Sequence, residues 1–388
     1  MYISENIKYI GVNDHAITLF EGLYPVKNGM SYNSYVILDE KIAVMDTVEA
    51  GFTGEWLRKL TAELGDRTPD FLVIQHMEPD HSAGIALFME RYPEAILIAG
   101  ARAFFMIKQF FRTDYPDRRI VVKEGDTLSL GKHSLTFLEA PMVHWPEVIM
   151  SYENTDGILF SADAFGKFGT LDGEYSWLPE ARRYYIGIVG KYGTQVNRLL
   201  TKVSTLDIKM ICSLHGPILQ ENLADYINLY QTWANYEPEQ KGVLIAYASI
   251  YGNTEKAARL LAKSLQEKDC SNVVLRDLTT CDITEAVSLA FCYDRLVLAA
   301  TTYNGGLFPP MQHFVDALVE RNFQKRKVAL IENGFWAPMA AHNLKDLLEQ
   351  QKGISFYEPP ITIRSALSEE NFGQLDVLAE NLKEPITI

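Results

Sequence analysis

Seven residues of this chain have donor types and positions suited to holding two metal ions. The strand-like run 71–75 leads into HMEPDHSAG, which gathers His76, Glu78, Asp80 and His81 within six residues. Side chains alternate along an extended segment, so His76 and Glu78 are expected on one side of it. The turn at Pro79 then redirects Asp80 and His81 toward a second position. A single metal rarely takes four ligands from so short a stretch, whereas two adjacent metals would use them all. Three further polar residues stand where apolar runs end: His144 in PMVHWPE, Asp163 closing GILFSAD and His215 in MICSLHG. Strand exits are where loops carry chemistry. Imidazole and carboxylate donors without thiolate suit iron, manganese or zinc. One strand-terminal histidine is ordinarily a capped or surface residue, so the weight falls on the HxExDH cluster. His15, His133, His313 and His342 lack such company and are read as structural.

A second chemistry is written in three loops of the C-terminal half. The strand-like VLIAYA enters SIYGNTEKAARLL, where Ser249, Ile250, Tyr251, Gly252, Asn253 and Thr254 form a polar loop just before a helix. Backbone N–H groups at a helix start, with two hydroxyls, favour a dianionic phosphate. The loop has no lysine or arginine, which argues against a nucleoside triphosphatase. Thr301, Thr302, Tyr303, Asn304, Gly305 and Gly306 follow the run LVLAA, and Asn333, Gly334, Phe335 and Trp336 follow the run ALIE. Glycines admit close backbone approach, and the aromatic rings could wall a planar group. Ligands of open α/β sheets bind at the carboxyl ends of the strands. The three loops together describe a pocket for flavin mononucleotide.

The elements that must position these residues fall into two sets. Before about residue 235 the β-rich runs often come in pairs. Residues 34–38 and 41–46 read as a hairpin across an acidic turn, and 71–75, 95–99, 120–123, 134–139, 148–152, 158–161 and 210–214 are further strands. Helical spacing marks 54–64, 83–91 and 101–111. Many paired strands with few helices indicate an α+β sandwich. The polar stretch NYEPEQKG marks a boundary near residue 240. Beyond it strands (243–248, 272–276, 295–300, 327–331, 358–363) alternate with helices (253–267, 282–289, 310–321, 341–350, 369–382), the pattern of a doubly wound parallel sheet. The expected domains are therefore 1–240 and 241–388.

Composition narrows the partners. Fifty acidic residues against 36 basic ones give a formal net charge of −14, a poor balance for nucleic acid or an anionic membrane. No apolar run approaches the length of a spanning helix, and the N-terminus MYISENIKYI has no signal-peptide pattern. Cys212, Cys270, Cys281 and Cys292 stand far apart with no CxxC, which excludes a disulfide scaffold and the usual thiolate metal spacings. A cytoplasmic location is expected.

The metal motif resembles that of the metallo-β-lactamase fold, and more closely its flavodiiron branch. Glu78 stands where the hydrolases have a second histidine, and the spacing His81–x62–His144–x18–Asp163 matches the family. GMSYNSYVILDEKIAVMDTV, HWPE and DAFGKFG are also similar to family segments, and SIYGNT resembles the flavodoxin phosphate loop, with Tyr251 where simple flavodoxins have a hydroxyl residue. The resemblance implies an N-terminal metallo-β-lactamase-like αββα sandwich followed by a C-terminal flavodoxin-like doubly wound parallel sheet. It implies two irons, one on His76, Glu78 and His144, the other on Asp80, His81 and His215, with Asp163 bridging them. It further implies FMN, reduction of dioxygen to water or of nitric oxide to nitrous oxide, and a head-to-tail homodimer or dimer of dimers. With no CxxC iron site in the chain, rubredoxin or a similar carrier is expected to donate electrons. Tyr185, in RRYYIG, is a candidate proton donor lining the pocket. The competing readings are a zinc hydrolase fused to a flavodoxin electron carrier, and a non-catalytic carrier with a degenerate metal domain.

Overall fold

A computed structural model describes residues 3–173 and 176–386. The chain divides into two compact units, Met1–Gln231 and Thr232–Ile388.

The first unit is built on two facing sheets. One has six strands in the order Ile7–Tyr9, Tyr35–Ile37, Ala43–Met45, Phe71–Val73, Ile96–Gly100 and Arg119–Val122. The other has five: Thr127–Ser129, Ser134–Glu139, Ile149–Glu153, Ile158–Phe160 and Met210–Cys212. The hairpin expected at 34–46 is present as the antiparallel pair Tyr35–Ile37 and Ala43–Met45. Period-two alternation then decides which residue serves which layer. Tyr35, Ile37, Ala43, Met45, Phe71, Val73 and Ile98 face Phe137, Ile149, Ile158, Phe160 and Cys212 in the core between the sheets. Their neighbours Val36, Val44, Leu72, Leu97 and Ala99 point the other way. There they bury against Trp56, Leu60 and Leu64 of helix Thr53–Leu64, and against Phe88 of helix Ile85–Arg91 and Phe104 and Ile107 of helix Ala101–Phe111. The helices Trp177–Tyr184 and Gly193–Val203, joined by a π-helical turn over Tyr185–Val189, were not legible as separate elements in the sequence. Neither was the small hairpin Leu19–Phe20 with Tyr24–Pro25.

The second unit is a parallel sheet in the order Val273–Asp277, Gln240–Ala248, Tyr293–Tyr303, Lys327–Asn333, Ser355–Ile363. In chain order that is 2-1-3-4-5, a doubly wound arrangement. Both faces are covered, so its strands read as continuous apolar runs. Val243, Ile245, Val297, Ala299, Ala329 and Ile331 meet Ala258, Leu261, Leu375 and Leu378 on one side. Leu244, Ala246, Leu296, Leu298, Val328 and Leu330 are buried on the other. The third strand overruns its expected end and turns back into Gly306–Leu307 through Asn304 and Gly305, at φ 50° and 75°. Asn-Gly is the preferred pair for such a two-residue turn. Pro359 and Pro360 lie on the last strand, which is an edge, where a missing N–H breaks no ladder.

Candidate metal centre and flavin site

The loop after Phe71–Val73 departs from the sheet because its backbone finds other partners. Gln75 N–H donates to Asp46 Oδ1 at 2.8 Å, and Gln75 Nε2 donates to Asp46 Oδ2 at 3.0 Å. The strand therefore ends earlier than the sequence run suggests. His76 and Glu78 are not paired by strand alternation. His76 lies in the loop, and Glu78 is the N-cap of a four-residue helix, Pro79–Ser82, which carries Asp80 and His81. The far end of the loop is tied to the same segment. His81 O accepts from Thr47 N at 2.8 Å and Thr47 Oγ1 at 2.7 Å, and Gly84 N donates to Thr47 Oγ1 at 3.0 Å. The Asp46–Thr47 pair of the MDTV run is thus a clamp for both ends of the ligand loop. Burial of the Asp46 carboxyl pushes its pKa up to about 6, against the pull of the Gln75 N–H.

Two groups of side chains converge beyond this clamp. His76, Glu78, His144 and Asp163 have ligand atoms within 4.8 Å of one another, and so do Asp80, His81 and His215. All seven sequence-derived candidates are therefore brought together. Asp163 lies between the groups. Its Oδ2 is 3.0 Å from His144 Nε2 and 3.4 Å from His76 Nε2, while its Oδ1 is 3.3 Å from His81 Nε2 and 3.9 Å from His215 Nε2. His81 and His215 aim Nε2 at Nε2, 3.0 Å apart. Both oxygens of Asp80 and both of Asp163 are buried without a hydrogen-bond partner. Leaving buried carboxylate oxygens unpaired is costly, and here they share a small volume with four imidazoles. That donor set fits a pair of cations.

The electrostatics say the same. Burial opposes charge on His76, but Asp163, Glu147 and Glu78 hold its pKa well above the usual value. Burial likewise opposes His144, yet the Asp163 and Glu78 carboxylates push it up to about 9. His215 is raised by Asp80 and Asp163 against its own burial. Burial favours the neutral acids, but the His76, His144 and His81 rings hold Asp163 far below the carboxylate range, and His144 and His76 do so for Glu78. Protons on the imidazoles fill the role that divalent cations would take.

The partners that orient the ligands could not be read from sequence. His76 Nδ1 donates to Glu147 Oε1 at 2.8 Å, and Met77 N donates to the same oxygen at 2.9 Å. His215 Nδ1 donates to Ser31 O at 2.7 Å, and Gly216 N donates to Ser31 Oγ at 2.8 Å. Each bond fixes the proton on Nδ1 and leaves Nε2 for a metal. Asn33 Nδ2 donates to Ser213 O at 2.9 Å and to Gly216 O at 2.8 Å, so the MSYNSY run serves to hold the His215 loop. Their only signal was a motif, HWPE or MSYNSY, whose role needs contacts across 71 to 184 residues. Glu147→Gln should lower metal affinity by roughly 10–100-fold, the usual cost of losing such a partner. Chelator competition measures this, and an unchanged affinity would mean Glu147 only packs.

Other candidates are placed as follows. Tyr185 stacks edge-on against Tyr230, with centroids 4.9 Å apart. Its neighbour Tyr184 turns its ring to His215 at 5.6 Å, and burial with Asp163 nearby keeps its hydroxyl protonated far above the usual pKa. His133 is held by Glu153 at 3.0 Å and Asn6 at 3.2 Å, one partner per ring nitrogen.

In the second unit, the three loops leave the carboxyl ends of the first, third and fourth strands of the chain order. Ser249 Oγ accepts from Gly252 N at 3.1 Å, and Gly252, at φ 85°, caps helix Asn253–Glu267. Thr254 and Thr301 hydroxyls pair at 3.1 Å, linking two of the loops. Thr302 Oγ1 accepts from Met339 N at 3.0 Å and Ala340 N at 3.1 Å. Asn333 and Ser365 pair through Asn333 Nδ2 to Ser365 O at 3.1 Å and Ser365 N to Asn333 Oδ1 at 3.2 Å. A Cβ at Gly334 would meet Pro338 Cα at 2.9 Å. Tyr251 and Trp336 are 92% and 88% exposed, and Phe335 is open too, so this aromatic rim is free to stack on a planar ligand.

Residues 30–216 match the family described as ODP family beta lactamase, and residues 244–355 match the flavodoxin domain. A nitric oxide reductase of Moorella thermoacetica is 30% identical over 374 residues, covering 93% of this chain and 92% of that one. The rubredoxin oxygen:oxidoreductase of Desulfovibrio gigas superposes with a TM-score of 0.91 at 26% identity, over 99% of this chain and 97% of its own. The flavodiiron protein of Giardia intestinalis shares the fold, with a TM-score of 0.90 at 24% identity over 99% and 97%. This chain belongs to the flavodiiron protein family. The flavodiiron architecture pairs a β-lactamase-like metal domain with a flavodoxin domain, in the order found here. Among the described residues of this flavodiiron protein, no helix is long and apolar enough to cross a membrane.

Proposed function

We propose that this flavodiiron protein is an oxidoreductase that reduces dioxygen to water, nitric oxide to nitrous oxide, or both, using two irons in its first unit and FMN in its second. The observation that carries this reading is the pair of buried ligand groups sharing Asp163. Similarity to proteins named for each of the two gases supports both substrates. When bound, the flavin would pass electrons singly or in pairs to the irons, where the gas is reduced. His76, Glu78 and His144 would hold one iron and Asp80, His81 and His215 the other, with Asp163 bridging. Histidine and carboxylate donors without thiolate suit iron, and Glu78 in a histidine's place disfavours a zinc hydrolase.

The chain's own residues have distinct tasks. Glu147 and Ser31 O aim the imidazoles. Both reductions consume protons, and Tyr185 with its neighbour Tyr184 are candidate donors on the buried side. The loops 249–254, 301–306 and 333–336 would hold FMN, its phosphate at the start of helix Asn253–Glu267 and its ring beside Phe335 and Trp336. Rubredoxin or a similar carrier would supply electrons in the cytoplasm. A head-to-tail homodimer, or a dimer of such dimers, would bring one subunit's flavin to the other's irons. The test is anaerobic: the reduced holoprotein is given each gas in turn and consumption is followed. Turnover of at least one gas is expected. Failure with both, or zinc content with esterase turnover, would overturn the assignment.

A further inference from the structure

The fifth strand of the parallel sheet, Ser355–Ile363, ends in a turn that the sequence patterns did not mark. Ala366 N donates to Arg364 O at 3.0 Å, and the residue between them, Ser365, has φ 69°. A γ-turn with positive φ at its centre is the rare, strained form, and a residue with a Cβ is disfavoured there. Such strain persists only where the surroundings impose it, and it gathers at functional sites. Here the surroundings are the start of the 333–336 loop. Ser365 N donates to Asn333 Oδ1 at 3.2 Å, and Ser365 O accepts from Asn333 Nδ2 at 3.1 Å. Beside this pair, Gly334 N donates to Ile363 O at 3.0 Å, and Arg364 Nη1 donates to Phe335 O at 3.3 Å. The segment is braced from behind, since Thr362 O accepts from Asn371 Nδ2 of helix Glu369–Lys383 at 3.2 Å.

All of these bonds grip the backbone or the first side chain of residues 333–335. On the other flank Thr302 Oγ1 accepts from Met339 N and Ala340 N, and Pro338 lies where Gly334 leaves no room for a Cβ. The backbone of the loop is therefore held from both sides, while Phe335 and Trp336 remain 65% and 88% exposed. Exposed rings on a fixed backbone suit stacking on a planar group, and fixing them beforehand lowers the cost of ordering them on binding. We infer that residues 364–366 form a fourth loop of the flavin site, in which Arg364 and Ser365 are positioning residues for the Phe335–Trp336 wall. This rests on the FMN reading above. Arg364 acts through the Phe335 carbonyl and Ser365 through the Asn333 side chain, so neither needs to touch the flavin.

FMN titrated into the full chain stripped of flavin, with the loss of free-flavin fluorescence followed, gives the affinity. The visible bands of the bound flavin report the surroundings of its ring. Arg364→Ala should weaken FMN by roughly tenfold, the scale of ordering one or two freed side chains on binding, and should shift those bands. Ser365→Pro fixes φ at about −65° and removes the N–H given to Asn333, so it should do the same. Arg364→Lys keeps a donor for Phe335 O and should recover most of the loss. Ser365→Gly keeps the turn, because glycine accepts positive φ, and should retain the wild-type bands. Wild-type affinity and bands in either Arg364→Ala or Ser365→Pro would overturn the inference and leave the FMN reading standing. So would a lowered melting point of both flavin-free variants with the bands of the bound flavin unmoved, which is a fold defect alone. A wild type that bound no FMN would instead overturn the FMN reading itself.

Discussion

Replacing Asp163 with alanine should abolish consumption of dioxygen and nitric oxide while leaving the flavin content unchanged. Asp163 is fully buried, and each of its oxygens faces a different ligand group. Without it, His76, His81 and His144 lose their shared counter-charge, and two cations would be held a few ångströms apart with no anion between them. The loss of metal affinity should exceed the roughly 10–100-fold that follows removal of an outer-shell partner. Metal content, flavin absorbance and gas consumption measured on one preparation check this. Wild-type turnover in the variant would remove Asp163 from the centre. A variant that lost its flavin as well would point to a folding defect, and Asp163→Asn, which keeps the shape, would then decide. The loops proposed to hold the flavin belong to the other compact unit, which has its own core, so the two effects should separate.

Metal binding should tighten steeply with pH. In the chelated protein His76 stays protonated well above its ordinary range, and His144 does so up to about 9. A metal entering that group must displace both protons, so affinity should rise about 100-fold per pH unit between roughly pH 7 and 9, tenfold for each proton. Protons released into a weakly buffered indicator solution count them directly. The same shifts govern folding of the metal-free chain, with the sign worked out for each. The raised His144 adds stability that is whole below its ordinary value near 6.5 and is lost as pH rises through about 9. The depressed Asp163 and Glu78 add stability that is present above the ordinary carboxylate range and is lost as pH falls through their folded values. Thermal midpoints of chelated protein should therefore fall between pH 6.5 and 9, and metal-loaded protein should not show this fall. A pH-independent affinity would mean the imidazoles are already neutral.

These two expectations differ in what made them visible. Asp163 and the six other ligand candidates stood out as residues because their types are rare at the ends of apolar runs. Glu147, Ser31 and Asp46 did not, although each lies in a segment that had drawn notice. An acceptor for a histidine proton carries no mark in sequence: a glutamate three residues after His144 and a backbone carbonyl look like any others. The route to the ligand cluster also differed from the sequence argument. Strand periodicity was to pair His76 with Glu78, but Asp46 takes the Gln75 N–H, the strand stops, and a helix start sets Glu78 instead.

In the second half the alternation of strands and helices was plain, because a sheet buried on both faces makes every strand a continuous apolar run. Its 2-1-3-4-5 order was not, since strand order rests on pairing between distant segments. Sequence by itself determined the inventory: two domains' worth of periodic elements, seven metal-suited side chains and three flavin-suited loops. Tertiary structure decided the grouping of the seven into two sets with Asp163 between them, and which imidazole nitrogen is left for a metal. The physical reason is range. Periodicity and ligand type are properties of neighbours along the chain, whereas coordination depends on atoms brought within a few ångströms by a packed core.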